Sequence, residues 1–177
     1  MPVPIAGTNC LTKAEDALVM MLSTSQRFQL WCGAIDSSEA LARIYTDQLP
    51  GPANRATYTA AELDNLFPCV AVFTDPDDGF TRVRSTDTCF KSTQGSLIAV
   101  WHQFVLATDD EHRADRRLKN AAWDTVEEIE GSIMVPGNLL FNSVTYRGTH
   151  RFEHDMDQSL GGIIYTMMQI IWGYEES

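Results

Sequence analysis

The chain has 177 residues, of which 44% are hydrophobic and 21% are charged. This length and composition fit a single folded domain and exclude a mostly disordered chain, since 10% of the residues are aromatic. The formal net charge of −11 argues against general binding to DNA, RNA or an anionic membrane, because an acidic surface repels polyanions.

The N-terminus and the cysteines indicate an intracellular chain. The sequence begins MPVPIAGTNC and shows no basic segment followed by an apolar one, so we expect no secretory signal and a cytoplasmic location. The longest apolar stretch, residues 161–173, is shorter than the roughly 20 residues that a transmembrane helix needs. Four cysteines stand far apart without a C-x-x-C pair, which predicts reduced, largely buried thiols. They are Cys10, Cys32, Cys69 and Cys89.

The first third of the chain is predicted to be helical. Helix starts are indicated by a Ser, Thr or Asp that Glu follows three residues later: Thr12 with Glu15, Asp36 with Glu39, Thr59 with Glu62, and Thr108 with Glu111. The first helix is expected to extend towards Gly33, with a further turn around Phe28, Leu30 and Trp31. The second is expected to continue through Ile44 and Tyr45 to about Leu49, and Pro68 should end the third.

From Cys69 onward the pattern favours strands. We predict CVAVFT, a hairpin turn over residues 75–79, the partner FTRVRST, a polar loop over 91–95, and the strand LIAVWHQFVL. A long helix from Thr108 to about Ser132, the strand LLFNSVTY, a polar loop over 147–158 and the final strand IIYTMMQIIWGY follow. The fold class is therefore α+β, with N-terminal helices followed by an antiparallel or mixed sheet packed by one long helix. We expect one domain over 1–177, with a helical part (1–66) and a part made of the sheet and long helix (67–177).

Two of the predicted strands are apolar on both faces. In the last strand Ile164 and Met168 alternate with Ile163 and Met167, and LIAVWHQFVL behaves in the same way. One helix cannot cover both faces of such a sheet. The remaining cover must come from the N-terminal helices or from another protein chain.

The long helix carries a second sign of assembly. Its apolar stripe should pack on the sheet, and Trp123 falls outside that stripe among charged residues. Basic residues precede this tryptophan and acidic residues follow it, a pattern that suits a head-to-tail ring in which each positive patch meets the next subunit's negative patch. The predicted subunit interface consists of Arg113, Arg116, Arg117, Lys119, Trp123, Asp124, Glu127 and Glu128.

Enzyme-like signals are weak. His150, His154 and Asp155 could form a metal set for a small hydrolase, but Arg151 stands where a zincin motif has Glu. The acidic turn at residues 75–79 lacks the spacing of a calcium loop, and no phosphate loop or nucleophile motif occurs. We predict no catalytic residue, no metal and no cofactor, with the hydrolase as the alternative of a different class. A binding module for an apolar ligand is a further alternative.

The order of elements resembles the tail terminator proteins of long-tailed bacteriophages. The matching parts are the N-terminal helices from Thr12 to Leu49, CVAVFT, SLIAVWHQFV, the helix over residues 109–134, LLFNSVTYRG and GGIIYTMMQIIWGY. The resemblance covers most of the chain and lies in the pattern of elements, since the family has no short invariant motif to quote.

The resemblance implies a virion protein of the phage neck, assembled in the host cytoplasm. Such a subunit forms a ring, expected to be a hexamer, between the tail tube protein and the head-completion or stopper protein. DNA only passes through its lumen, and no membrane is involved. The acidic balance agrees with this role, because a conduit should not bind the passing phosphates. Another neck component, a stopper or an adaptor, is the alternative within the same class.

Overall fold

The computed structural model describes six ranges of the chain: 10–46, 59–77, 80–84, 91–130, 140–152 and 161–176. The helices are α1 (Cys10–Thr24), α2 (Gln26–Cys32), α3 (Ser37–Leu41), α4 (Ala60–Leu66) and α5 (Glu111–Glu130). The strands are β1 (Ile44–Thr46), β2 (Cys69–Thr74), β3 (Phe80–Arg84), β4 (Lys91–Leu106), β5 (Leu140–Phe152) and β6 (Gly161–Glu176). The predicted α+β fold class is confirmed.

The first predicted helix divides into α1 and α2 at Ser25. Ser25 caps α2 by accepting the backbone N–H of Phe28, and Gly33 ends α2 in the left-handed conformation, as expected. The predicted start at Thr12 is wrong, since α1 already includes Cys10. The carboxylate of Glu15 accepts the Thr74 hydroxyl at 2.7 Å, which ties α1 to β2.

The next two capping predictions have different outcomes. Asp36 accepts the backbone N–H groups of Ser38 and Glu39 and starts α3 as predicted, but the extension to Leu49 is wrong. The chain leaves the helix after Leu41 and forms β1, because a parallel pairing with β2 buries Ile44 in the sheet. For α4, the predicted capping box of Thr59 and Glu62 is confirmed.

The sheet has the strand order β1-β2-β4-β6-β5, and β3 also pairs with β4. It is mixed, because β1 and β2 are parallel whereas the β2–β4, β3–β4, β4–β6 and β5–β6 pairs are antiparallel. β4 and β6 pair over their full 16 residues. These two strands carry apolar residues on both faces, and they form the middle of the sheet.

The predicted hairpin between β2 and β3 is wrong. Both strands pair with β4, end to end: Thr74 lies opposite Leu97 and Phe80 opposite Gly95. Asp75 continues the ladder by donating its N–H to the Ser96 carbonyl at 2.9 Å. The predicted loop at 91–95 is also wrong, because these residues form the start of β4 and pair with both β3 and β6.

The observed limits of β5 and α5 also differ from the predicted ones. β5 continues to Phe152, so residues 147–152 of the expected loop belong to a strand, and residues 153–158 lie outside the described ranges. α5 begins at Glu111, not Thr108, because the Asp110 carboxylate accepts the N–H groups of His112 and Arg113. The expected end at Ser132 lies outside the described residues.

One face of the sheet, called the first face, carries the main core. It presents Val70, Leu97, Trp101, Met168 and Trp172, which are buried under α1, α2 and α5. The stripe of α5 that packs here is Ala114, Leu118, Ala122, Thr125, Val126 and Ile129. The N-terminal helices α1 and α2 thus help to cover this face. This is one of the two alternatives that the sequence analysis left open, the other being a second protein chain.

The opposite face, called the second face, is covered less completely. Leu63 and Phe67 at α4 pack with Cys69 and Ile163, and Ile98 and Val100 are also buried. Several large side chains of this face remain partly exposed: Phe73, Phe104, Tyr165, Met167 and Ile171. Cys32, in the main core, and Cys69 are buried, as predicted; the side chains of Cys10 and Cys89 lie outside the described set.

Candidate subunit interface

The outer side of α5 presents the residues that the sequence singles out. Six of the eight predicted interface residues are exposed on it: Arg113, Arg116, Arg117, Trp123, Asp124 and Glu127. At about 100° per residue they lie within an arc of about 120° centred on Asn120, which is also exposed. We call these seven residues the outer face of α5. The structure therefore brings the basic and acidic groups onto one surface.

Trp123 lies between the two charged groups. Its side chain is 43% exposed, and its Nε1–H donates to Oε1 of Glu127 at 2.7 Å. This hydrogen bond satisfies the polar edge of the indole and holds the ring along the helix surface. A tryptophan that is fixed in this way presents apolar area without losing much side-chain entropy on binding, as interface anchors do.

The basic half of α5 is only partly neutralised within the chain. Arg113 lies 3.4 Å from Asp110, and Lys119 lies 2.7 Å from Asp115. Arg116 and Arg117 make no ion pair with any residue that the structure describes. Lys119 is half-buried at the edge of the outer face, so Arg113, Arg116 and Arg117 are the exposed positive charges of this face.

Glu128 has a clear role inside the subunit. Its carboxylate accepts the Ser25 hydroxyl at 2.6 Å and the backbone N–H groups of Gln26 and Arg27 at 3.1 and 2.9 Å. Partial burial alone would raise the pKa of Glu128, but these hydrogen bonds outweigh it and lower the pKa below its ordinary value. Glu128 thus caps the N-terminus of α2 and connects this helix to α5.

The sequence analysis missed two exposed apolar side chains, one on α2 and one shortly after it. Leu30 is 77% exposed and Ile35 is 83% exposed. The pattern contained the signal: Phe28 and Cys32, four residues apart, share the buried side of α2, and Leu30 lies about 200° around the helix from Phe28. Leu30 must therefore face outward, although it was grouped with Phe28.

A polar cluster also escaped the sequence analysis. Asp75, only 4% exposed, accepts hydrogen bonds from the Ser96 hydroxyl and the Gln169 amide at 3.0 and 2.9 Å. Its other oxygen accepts the N–H of Asp77. These contacts fix the end of β2 against β4 and β6, so we assign the cluster a structural role.

The residues of the alternative metal site are not brought together by the described structure. His150 lies on β5, not in a loop as expected, while His154 and Asp155 lie outside the described ranges. Within those ranges, no group of three His, Cys, Asp or Glu side chains is placed to hold a metal ion. None of the described helices combines the length and apolar character that crossing a membrane requires.

Comparisons with known proteins give similarity to solved structures. No protein-family model matches the sequence, and the search of curated proteins gives no match. A chain in the solved virion of a native gene transfer agent particle is similar to this one over 91% of this chain and 96% of that chain. The sequence identity is 14% and the TM-score is 0.48, a degree of similarity that does not assign a function.

Proposed function

We propose that the protein is a structural component of a virion, a tail terminator that forms a ring on the end of a phage tail tube and offers a docking surface to the head. The observation that carries this proposal is the outer face of α5. It combines an exposed, fixed Trp123 with segregated charges, features that serve binding between proteins. A head-completion or stopper protein and the tail tube protein are the proposed neighbours.

The order of the elements supports the same proposal. The helices α1 to α4, with the short strand β1 before α4, are followed by the strands β2 to β4, the long helix α5 and the closing strands β5 and β6. Apart from β1, this is the order for which the resemblance to tail terminators was stated. The subunit has the form of a compact building block, with α1, α2 and α5 packed on one face of the sheet. This arrangement leaves α5 available to other chains.

The charge of the protein suits a ring around passing DNA. With 24 acidic and 13 basic side chains, the surface repels phosphates over most of its area. Exposed arginines that face another subunit would be neutralised in the assembly and would not retain DNA. In the proposed function the protein therefore acts through shape and contact.

Two experiments test the function. Native mass spectrometry and negative-stain electron microscopy of the purified protein, alone and with tail tubes, should show a ring that caps the tubes. A protein that stays monomeric with tail tubes at high concentration would contradict the proposal. The second experiment examines particles that lack the protein: a terminator predicts overlong or unjoined tails, whereas a stopper predicts tails of normal length and heads that lose DNA.

A further inference from the structure

We propose that the outer face of α5 binds the same face of a second copy of this chain, with the two helices antiparallel and related by a two-fold axis beside Asn120. The basis is the order of the charges along this face. Positive residues (Arg113, Arg116, Arg117) occupy one half and negative residues (Asp124, Glu127) the other, and Asn120 lies at the centre. This inference does not depend on the proposed function.

Helix geometry places the charged residues symmetrically about Asn120. Arg113 and Glu127 each lie seven residues from it, which corresponds to about 10 Å along the axis in either direction. Arg116 and Asp124 each lie four residues away. Reversing the helix therefore exchanges the positive half with the negative half at nearly the same positions.

In an antiparallel second copy, each arginine of the outer face lies opposite an acidic residue or Trp123. At about 100° and 1.5 Å per residue, Arg113 comes opposite Glu127 of the second copy and Arg117 comes opposite Asp124 of the second copy. Arg116 comes opposite Trp123 of the second copy, where a guanidinium can stack on the indole. The two-fold axis repeats each of these contacts.

A parallel pair of the same helices would be unfavourable. Each arginine would then face the arginines of the second copy, and Glu127 would face its own equivalent. Like charges across an interface select against a partner. The antiparallel arrangement also opposes the two helix dipoles, and it brings arginines towards a C-terminal half whose acids are unfavourable to the dipole of α5 itself.

A two-fold contact fits the structure better than the head-to-tail contact expected from the sequence. In a head-to-tail ring the positive and negative patches must point to two different neighbours. Here both patches lie within an arc of about 120° on one helix, so both point in the same direction. A ring that uses α5 in this way would be joined to a second ring through pairs of α5 helices, while other surfaces close each ring.

Cysteine cross-linking tests the arrangement in the full-length protein. In the Asn120→Cys variant the two introduced thiols lie next to the axis, so mild oxidation should produce a covalent dimer in most of the protein. In the matched Arg113→Cys variant the same two positions lie about 21 Å apart along the axis, so no such dimer should form. The wild-type chain, with its four native cysteines, is the background control.

Charge exchange supplies a second test. An acidic variant (R113E/R117E) and a basic variant (D124R/E127R) should each associate at least about tenfold more weakly than the wild type. Mixed in equal amounts, the two variants should associate again, because all four charged contacts of the mixed pair join opposite charges. Circular dichroism of each variant, expected to be unchanged at these exposed positions, controls for folding.

The outcomes separate this inference from the proposed function. Rings that form while Asn120→Cys remains uncrosslinked, or variants whose mixture does not recover association, would overturn the two-fold contact and leave the terminator proposal standing. A cross-linked dimer that never forms rings with tail tubes would support the contact and contradict the terminator proposal. A wild-type protein that stays monomeric at all concentrations would overturn both.

Discussion

At the scale of single residues, Asp75 shows how a turn-forming residue can become part of the interior. Its carboxylate lies where β2 leaves the sheet, and it accepts hydrogen bonds from side chains on β4 and β6. A buried carboxylate is tolerated there because donors surround it. The cluster joins three strands at the point where the chain passes from β2 towards β3.

Replacing Asp75 by Ala should lower the free energy of unfolding by about 1–3 kcal/mol, because Ser96 and Gln169 would lose their buried acceptor. Chemical denaturation monitored by tryptophan fluorescence measures this change. The exposed neighbour Asp77 offers the matched control, and Asp77→Ala should stay within about 0.5 kcal/mol of the wild type. Equal effects of the two substitutions would show that the cluster does not stabilise the fold.

Sequence reasoning predicted single residues well where the cause is local. Gly33 was expected to end a helix, and it does so with a φ of 70° that glycine adopts readily. Asp75 could not be placed in the same way, because its partners lie 21 and 94 residues away in the sequence. Only the pairing of β4 with β6 brings them together.

At the scale of elements, the junction between α2 and α5 is the clearest long-range connection. Glu128 of α5 caps a helix about 100 residues earlier in the chain, and it accepts two of that helix's free N–H groups. The cap positions α2 on the core through Phe28 and Cys32. An acidic residue near the C-terminus of α5, which is unfavourable for that helix, is thereby explained.

The Glu128→Gln variant should be less stable than the wild type by about 1 kcal/mol at neutral pH, the usual scale of a lost helix cap. Thermal unfolding followed by circular dichroism measures the difference. Glu130→Gln, a change of an exposed acid of the same helix that lies outside the outer face of α5, is the control and should leave the melting temperature nearly unchanged.

The same residue predicts a pH dependence. The pKa of Glu128 is lower in the folded chain than its ordinary value of 4.5, so its contribution is complete above that value and is lost as the pH falls through the folded pKa. The stability difference between the wild type and Glu128→Gln should therefore decrease in acid, below about pH 4.5. A difference that stays constant down to pH 3 would show that the charged carboxylate is not the cap.

The elements themselves were predictable in part. Caps made by neighbouring residues, such as Asp36 and the Thr59 box, were found from the sequence because both partners lie within one turn. The pairing of β3 was not, since the turn residues 75–79 resemble a hairpin and only the length of β4 lets β2 and β3 share it. β1 was missed because sheet pairing overrides a weak helical pattern.

At the scale of the whole molecule, the subunit buries its first sheet face by itself but leaves the outer face of α5 exposed. The buried apolar stripe of α5 and the exposure of Trp123 could both be predicted, because helical periodicity determines which residues of α5 share a face. The sequence analysis expected a head-to-tail neighbour because it considered the order of the charges along α5 and not the angles between them, which helical periodicity also gives.

Replacing Trp123 by Ala should weaken self-association about tenfold or more while leaving the circular dichroism of the subunit nearly unchanged, because the indole contributes to a contact and not to the core. Light scattering over a range of concentrations measures the effect. Ile35→Ala, which removes a more exposed apolar side chain that is not part of α5, is the control. Unfolding of the Trp123 variant would instead mean that the indole stabilises the subunit.

The most direct test of the account is sedimentation velocity of the wild-type protein beside the R116E/R117E variant, at low and high salt. We predict that the wild type sediments as an assembly that shifts towards smaller species as salt screens the α5 contacts, and that the variant sediments as the smaller species at both salt concentrations. A wild type and variant with the same sedimentation coefficient under every condition would contradict the claim that α5 joins copies of this chain.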